Sequence, residues 1–271
     1  MLAWKSGEVV ANGLRLRYYR TGVDGPPVVL AHGITDSGLC WPRLAAALAD
    51  EYQVIGYDAR GHGRSQAPSG PYTRQDQADD LAELVKAMGI DKPCIIGHSM
   101  GADTTANAVA RHPDLAKAIV LEDPPWRDEP PAEARPLESY RERLRMYRSM
   151  TREELIAYGK TRNPNWDDAE WDPWADAKFA VSTAMIDCLQ WAPSPWREVC
   201  TKLVCPTLLV IAEAGDRADG LGGIVTDEVA AEAMTLMPNG QVARVQGAGH
   251  NIRREAFDDY LAAVRAFLRC V

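Results

Sequence analysis

Short apolar runs of strand length alternate with longer runs of helical spacing along most of the chain. Residues 8–11 and 14–19 read as strands around Asn12-Gly13. That dipeptide favours a two-residue hairpin turn because both positions tolerate positive φ. Residues 28–31 follow two prolines as a continuous apolar run, the pattern of a strand buried on both faces. Helical composition over 39–49, a strand at 53–57 and a helix over 75–88 come next. In that helix Leu81, Leu84, Val85 and Met88 share one face, and Gly89 is its stop. A strand at 94–96, a helix at 101–111 and a strand at 118–121 complete the first half.

The alternation then stops. From Pro124 to Cys200 the chain carries prolines, two charged helical stretches and six of its eight tryptophans. It resumes with strands at 207–212 and 242–246 and helices at 227–237 and 254–268. Alternating strands and helices predict an α/β fold, a mostly parallel central sheet flanked by helices. The interruption predicts an inserted helical cap at 124–200 over a core of 1–123 and 201–271.

Composition narrows the functional classes. The 271 residues are 46% apolar and 25% charged, ordinary for a globular protein able to bury a large core. The net charge of −8 disfavours nucleic acid or an anionic membrane as partner, since both require a basic face. Six scattered cysteines form no CxxC pair and have no histidine at zinc-binding spacing, so no metal or cofactor is expected. No signal peptide or membrane-spanning run is read, and the cytoplasm is the expected address.

Candidate chemistry sits at the strand ends. Gly97-His98-Ser99-Met100-Gly101 is a G-x-S-x-G motif between a strand and a helix. Its turn is tight enough that the flanking positions have room only for glycine, which lifts the Ser99 hydroxyl above the sheet edge. His32-Gly33 follows the first buried strand, and Asp58-Ala59-Arg60-Gly61-His62-Gly63-Arg64-Ser65 follows the next. With these three motifs in order, the sequence resembles the α/β-hydrolase fold family over nearly the whole chain outside the insertion. Among its members it is similar to small bacterial capped esterases and lactonases, including acyl-homoserine lactonases and zearalenone-type lactonases.

The resemblance implies a serine hydrolase with Ser99 as nucleophile. His250, in Gly247-Ala248-Gly249-His250 between the last strand and the last helix, would be its base. The backbone N–H groups of Ile34 and Met100 would form the oxyanion hole. For the acid, the family's usual element order favours Asp216, in the long loop after residues 207–212 where Asp219 also lies. Asp123, after the strand that precedes the insertion, is the alternative. His32, His62 and His98 read as residues that shape the loops and the elbow, and His112 as a surface helix end. Aspartate-nucleophile relatives (dehalogenases and epoxide hydrolases) do not fit, because serine occupies position 99.

Tryptophans in the insertion could serve its own core or line a pocket. Trp41, Trp126 and Trp191 are the candidates for an apolar substrate slot. Arg141, Arg143, Arg145 and Arg148 read as solvated helix faces, and Asp167, Asp168, Glu170 and Asp172 as surface charge. The expected reaction is hydrolysis of a small-molecule carboxylic ester or lactone through an acyl-enzyme, with an acyl-homoserine lactone as one candidate. Carbon–carbon bond hydrolysis, a cofactor-free synthase and a slow-turnover signalling receptor are the alternatives. The sequence does not fix the oligomeric state.

Overall fold

The structure, a computed structural model, describes residues 3–70, 72–127, 136–188, 194–212 and 222–271. Its centre is an eight-stranded sheet in the order β1-β2-β4-β3-β5-β6-β7-β8. The strands are β1 Lys5–Ala11, β2 Leu14–Gly22, β3 Pro27–Ala31, β4 Gln53–Tyr57, β5 Cys94–His98, β6 Ala118–Glu122, β7 Thr207–Ala212 and β8 Gly240–Val245. β2 runs antiparallel to both β1 and β4, and β3 to β8 are parallel. Ala11 pairs with Leu14 across Asn12 (φ 47°) and Gly13 (φ 74°), the predicted two-residue turn.

Helices fill the crossovers: α1 Pro42–Leu48, α2 Arg74–Ala87 and α3 Met100–Arg111 before the insertion, α9 Asp227–Leu236, α10 Ile252–Glu255 and α11 Phe257–Leu268 after it. α1 is shorter than predicted because Pro42 opens it, a position where a missing N–H is harmless. α2 starts at a capping box: Thr73 Oγ1 accepts from the Asp76 N–H while the Asp76 carboxylate accepts from the Thr73 N–H. The predicted helix over 254–268 is broken at Ala256, whose φ of −138° and ψ of 64° are not helical.

The parallel strands are apolar on both sides, and alternate residues supply two cores. Val29, Ile95, Ile119 and Leu209 pack on one face with α2, α3 and α9. Val28, Leu30, Ile96 and Val120 pack on the other with α1 and α11. Each such buried side chain contributes about 1.5–3 kcal/mol. Between β6 and β7 lie α4 Pro136–Arg148, α5 Arg152–Arg162, a 3-10 turn at Asp168–Glu170, α6 Trp171–Ala180, α7 Thr183–Cys188 and α8 Trp196–Lys202. Trp166, Trp171 and Trp174 form a cluster with Leu155 inside the insertion. α8 belongs by packing to the sheet: Trp196, Val199, Cys200 and Leu203 join the first core, and Trp196 stacks on Trp126 at 5.9 Å.

Candidate active site

Parallel strands deliver their C-terminal ends to one edge of the sheet, and the loops leaving that edge meet there. The loop after β3 brings Ile34, the turn after β5 brings Ser99, the end of β6 brings Asp123, and the loop after β8 brings His250. Ser99, His250 and Ile34 line one cavity of about 290 Å³ between this edge and the insertion.

Ser99 has φ 51° and ψ −117°, a strained geometry for a residue with a Cβ. Gly97 and Gly101 make it feasible. A Cβ on Gly101 would collide with the backbone carbonyls of Ala31 and His32, and one on Gly97 would collide with the Gly101 carbonyl. Met100 opens α3, so its amide has no preceding helical turn to bond to. Among the described residues, neither the Met100 nor the Ile34 amide donates within the protein. Met100 does not line this cavity but borders a smaller hollow with Arg60 and Asp80.

His250 Nδ1 is 2.6 Å from Asp123 Oδ2. Asp123 is fully buried, with a left-handed φ of 42°. Its two oxygens also accept the amides of Ile224 (3.0 and 2.9 Å) and Val225 (3.0 Å). A carboxylate held by backbone N–H groups and an imidazole stays oriented without a cation beside it. Among the described residues, the carboxylate that meets His250 is therefore that of Asp123, the alternative drawn from the sequence. Asp216 and Asp219 lie outside the described residues.

His32, His62 and His98 are structural pins. His32 Nδ1 donates to the Gly33 carbonyl and its Nε2 accepts from Ala59 N–H. His62 donates to the Arg60 carbonyl and accepts from Thr35 N–H. His98 Nε2 donates to the His250 carbonyl at 3.0 Å. Burial lowers the pKa of all three, that of His62 to about 3, so each stays neutral and keeps its tautomer.

Among the described residues, Trp41 and Trp126 do not form the expected apolar slot. Trp41 is fully buried in the sheet's second core, with the Arg253 guanidinium 4.0 Å from its ring. Trp126 is fully buried against Trp196. Neither lines the cavity, and Trp191 lies outside the described residues. The cavity that Ser99 borders carries charged side chains as well as apolar ones. Arg143, Arg162 and Tyr158 line the cavity, together with apolar surface from Leu144, Tyr147, Trp166 and Trp174. Arg143, expected on a solvated face, and Arg162 have no carboxylate partner among the described residues; each guanidinium lies near a tyrosine ring, Tyr140 at 4.7 Å and Tyr158 at 5.9 Å.

Beneath the cavity is a buried charge network that the sequence reading missed. Asp36 pairs with Lys178, Arg253 and Arg254. Arg253 also reaches Glu122, and Arg254 reaches Glu170, read from sequence as surface charge but only 2% exposed. Arg254, Lys178 and Arg253, in that order, hold the Asp36 carboxyl well below its usual range against the opposing effect of burial. The sole sequence signal was position: Asp36 lies just after Ile34, and Arg253-Arg254 lie just after His250.

Among the described residues, no group of three or more His, Cys, Asp or Glu could hold a metal ion. Nor is any helix among them long and apolar enough to cross a membrane.

A mostly parallel sheet with a strained serine at one strand end and an Asp–His pair beside it defines a class of protein. The chain belongs to the alpha/beta hydrolase fold family, whose sequence model matches residues 26–165. N-formylmaleamate deformylase of Pseudomonas putida is 31% identical over 277 aligned positions, covering 97% of this chain and 96% of that one. A 2-(acetamidomethylene)succinate hydrolase of Mesorhizobium japonicum is 36% identical over 99 residues, 36% of each chain. The crystal structure of N-formylmaleamic acid deformylase from Pseudomonas putida S16 superposes with a TM-score of 0.80 at 26% identity, over 96% of this chain and 100% of that one. Hydrolysis is the activity that this family membership and these relatives support.

Proposed function

We propose that the chain is a serine hydrolase that cleaves an ester, lactone or amide acyl bond in a small carboxylate-bearing substrate. Two arginines with no carboxylate partner among the described residues, Arg143 and Arg162, in the same cavity as Ser99 and His250, carry the reading. In a chain of net charge −8, a cationic cavity wall is a local inversion that selects an anion. Lys178 and Arg254 also line the cavity, but Asp36 and Glu170 occupy them. The names of the two relatives, a maleamate and a succinate derivative, fit such a preference.

In this mechanism Ser99 Oγ attacks the acyl carbonyl as its proton passes to His250 Nε2. The resulting oxyanion accepts hydrogen bonds from the Ile34 and Met100 amides, each worth about 3 kcal/mol in the transition state. Asp123 keeps Nδ1 protonated and stabilises the imidazolium. His250 then returns the proton to the leaving alcohol or amine. Water, deprotonated by the same His250, attacks the Ser99 ester and releases the acid.

The test compares mono-p-nitrophenyl succinate with p-nitrophenyl butyrate, anionic and neutral acyl groups of equal length. A charge-assisted hydrogen bond is worth about 1.5–3 kcal/mol. Arg143→Ala and Arg162→Ala should each lower kcat/KM for the anionic ester about 10- to 100-fold and leave the neutral one within about threefold. Equal losses on both esters would remove the basis for an anionic substrate.

A further inference from the structure

The loop that carries the Ile34 amide is held from above by the insertion. Lys178, on α6, is only 3% exposed, and all three of its ammonium hydrogens have acceptors. Nζ lies 3.0 Å from the Thr35 carbonyl, 3.1 Å from Thr35 Oγ1 and 2.8 Å from Asp36 Oδ1. No hydrogen remains for a substrate, although the side chain borders the cavity. Thr35 and Asp36 follow Ile34 directly and close a turn in which Asp36 N–H donates to the Gly33 carbonyl.

Thr35 has φ 67°, an unfavourable conformation for a β-branched residue. Such geometry persists only where its surroundings enforce it. Here the enforcement comes from two sides. His62 Nε2 accepts the Thr35 N–H, and Lys178 holds its carbonyl and hydroxyl. Released on the Lys178 side, Thr35 would relax toward negative φ and rotate the peptide joining it to Ile34, carrying the neighbouring amide off its line toward Ser99.

We propose that Lys178 is a positioning residue that sets the Ile34 amide of the oxyanion hole, so that the hole is complete only while α6 is docked on the loop after β3. The inference rests on the serine-hydrolase reading above and names a determinant of it. Arg143 and Arg162 do not depend on this contact, so ground-state binding survives when transition-state stabilisation is lost.

The experiment measures kcat and KM with mono-p-nitrophenyl succinate, and the rate of covalent labelling by a fluorophosphonate, for wild type, Ser99→Ala, Lys178→Met, Thr35→Val and Lys178→Met/Asp36→Asn. Labelling joins Ser99 Oγ to phosphorus, expels fluoride and passes the serine proton to His250, so it also needs the oxyanion hole. Methionine keeps the length of Lys178 without its hydrogens. Loss of one oxyanion donor lowers kcat about 10²- to 10³-fold. Lys178→Met should lower kcat and the labelling rate by about 10²-fold with KM within about threefold. Thr35→Val, which removes one of three acceptors and keeps the side-chain shape, should show a smaller loss with the same split. The double variant removes one charge of each sign, which returns the buried network to neutrality. It should recover melting temperature but not kcat.

Recovery of kcat in the double variant would overturn the proposal in favour of simple charge balance. So would a kcat within threefold of wild type for Lys178→Met, or, should that protein not fold, an unchanged kcat for Thr35→Val. A wild-type protein that labels no faster than Ser99→Ala would instead sink the hydrolase reading itself, a separate outcome.

Discussion

Replacing Asp123 by asparagine removes one charge from a buried group that accepts four contacts. In the native protein Oδ1 accepts the amides of Val225 and Ile224, and Oδ2 accepts from Ile224 and from His250 Nδ1. Asparagine has one acceptor oxygen. Two backbone N–H groups converge on the Oδ1 side, so the amide oxygen settles there and the NH₂ group turns toward His250. An NH₂ cannot accept the Nδ1 hydrogen. The imidazole must then carry its proton on Nε2, the atom that should take the Ser99 proton, and the base is disabled with its position unchanged. The same exchange in a serine protease triad costs about 10⁴ in kcat, roughly 5.5 kcal/mol of barrier. Asparagine tolerates the left-handed φ of 42°, so the backbone needs no rearrangement. The lost charge-assisted bonds cost about 1–3 kcal/mol of stability, a drop of several degrees in melting temperature. The assay is kcat with mono-p-nitrophenyl succinate beside circular dichroism melts, for Asp123→Asn and Asp216→Asn together. A folded Asp123→Asn within tenfold of wild type, with Asp216→Asn falling by orders of magnitude, would refute the reasoning.

Two further outcomes follow from the packing and the buried histidines. His32, His62 and His98 have lowered pKa values in the folded protein, so below the unfolded value near 6.5 the unfolded chain binds protons that the native state refuses. Stability should be fully present above that value and fall on acidification from pH 6 to 5, before most unfolded-state carboxylates titrate, by up to roughly 4 kcal/mol per pH unit for three groups. Thermal melts across that window test it, and a flat melting temperature would contradict it. Gly101→Ala should destabilise the protein by about 1–3 kcal/mol or more and slow fluorophosphonate labelling of Ser99, because its Cβ would meet the Ala31 and His32 carbonyls. Gly70→Ala, where a Cβ meets nothing within 4 Å, is the matched control in the same melts.

The strands and the crossover helices were legible because each carries its own signal. Val28–Leu30 and Ile95–Ile96 are apolar on both faces, as only a strand covered on both sides requires. Asn12-Gly13 wrote its turn in two residues. Errors arose where a feature depends on a distant neighbour. The break at Ala256 lies inside a run of good helix formers. Trp126 looked like a pocket residue because no local pattern reveals that Trp196, seventy positions on, stacks over it. Arg143 and Glu170 sit in similarly charged stretches, yet one faces a cavity and the other is sealed beneath it.

Local sequence specified the sheet strands and, through Gly97 and Gly101, the bend at Ser99. These are short-range steric matters, settled within a few residues. Long-range packing set which carboxylate meets His250, which side chains line the cavity, and that Lys178 from the insertion grips the loop after β3. Charges acquire such roles by exclusion from water, and burial is set by the whole chain: Asp36, Lys178, Arg253 and Arg254 come from three separate segments. Their pairing exists only after the sheet, the insertion and the last helices have closed over them.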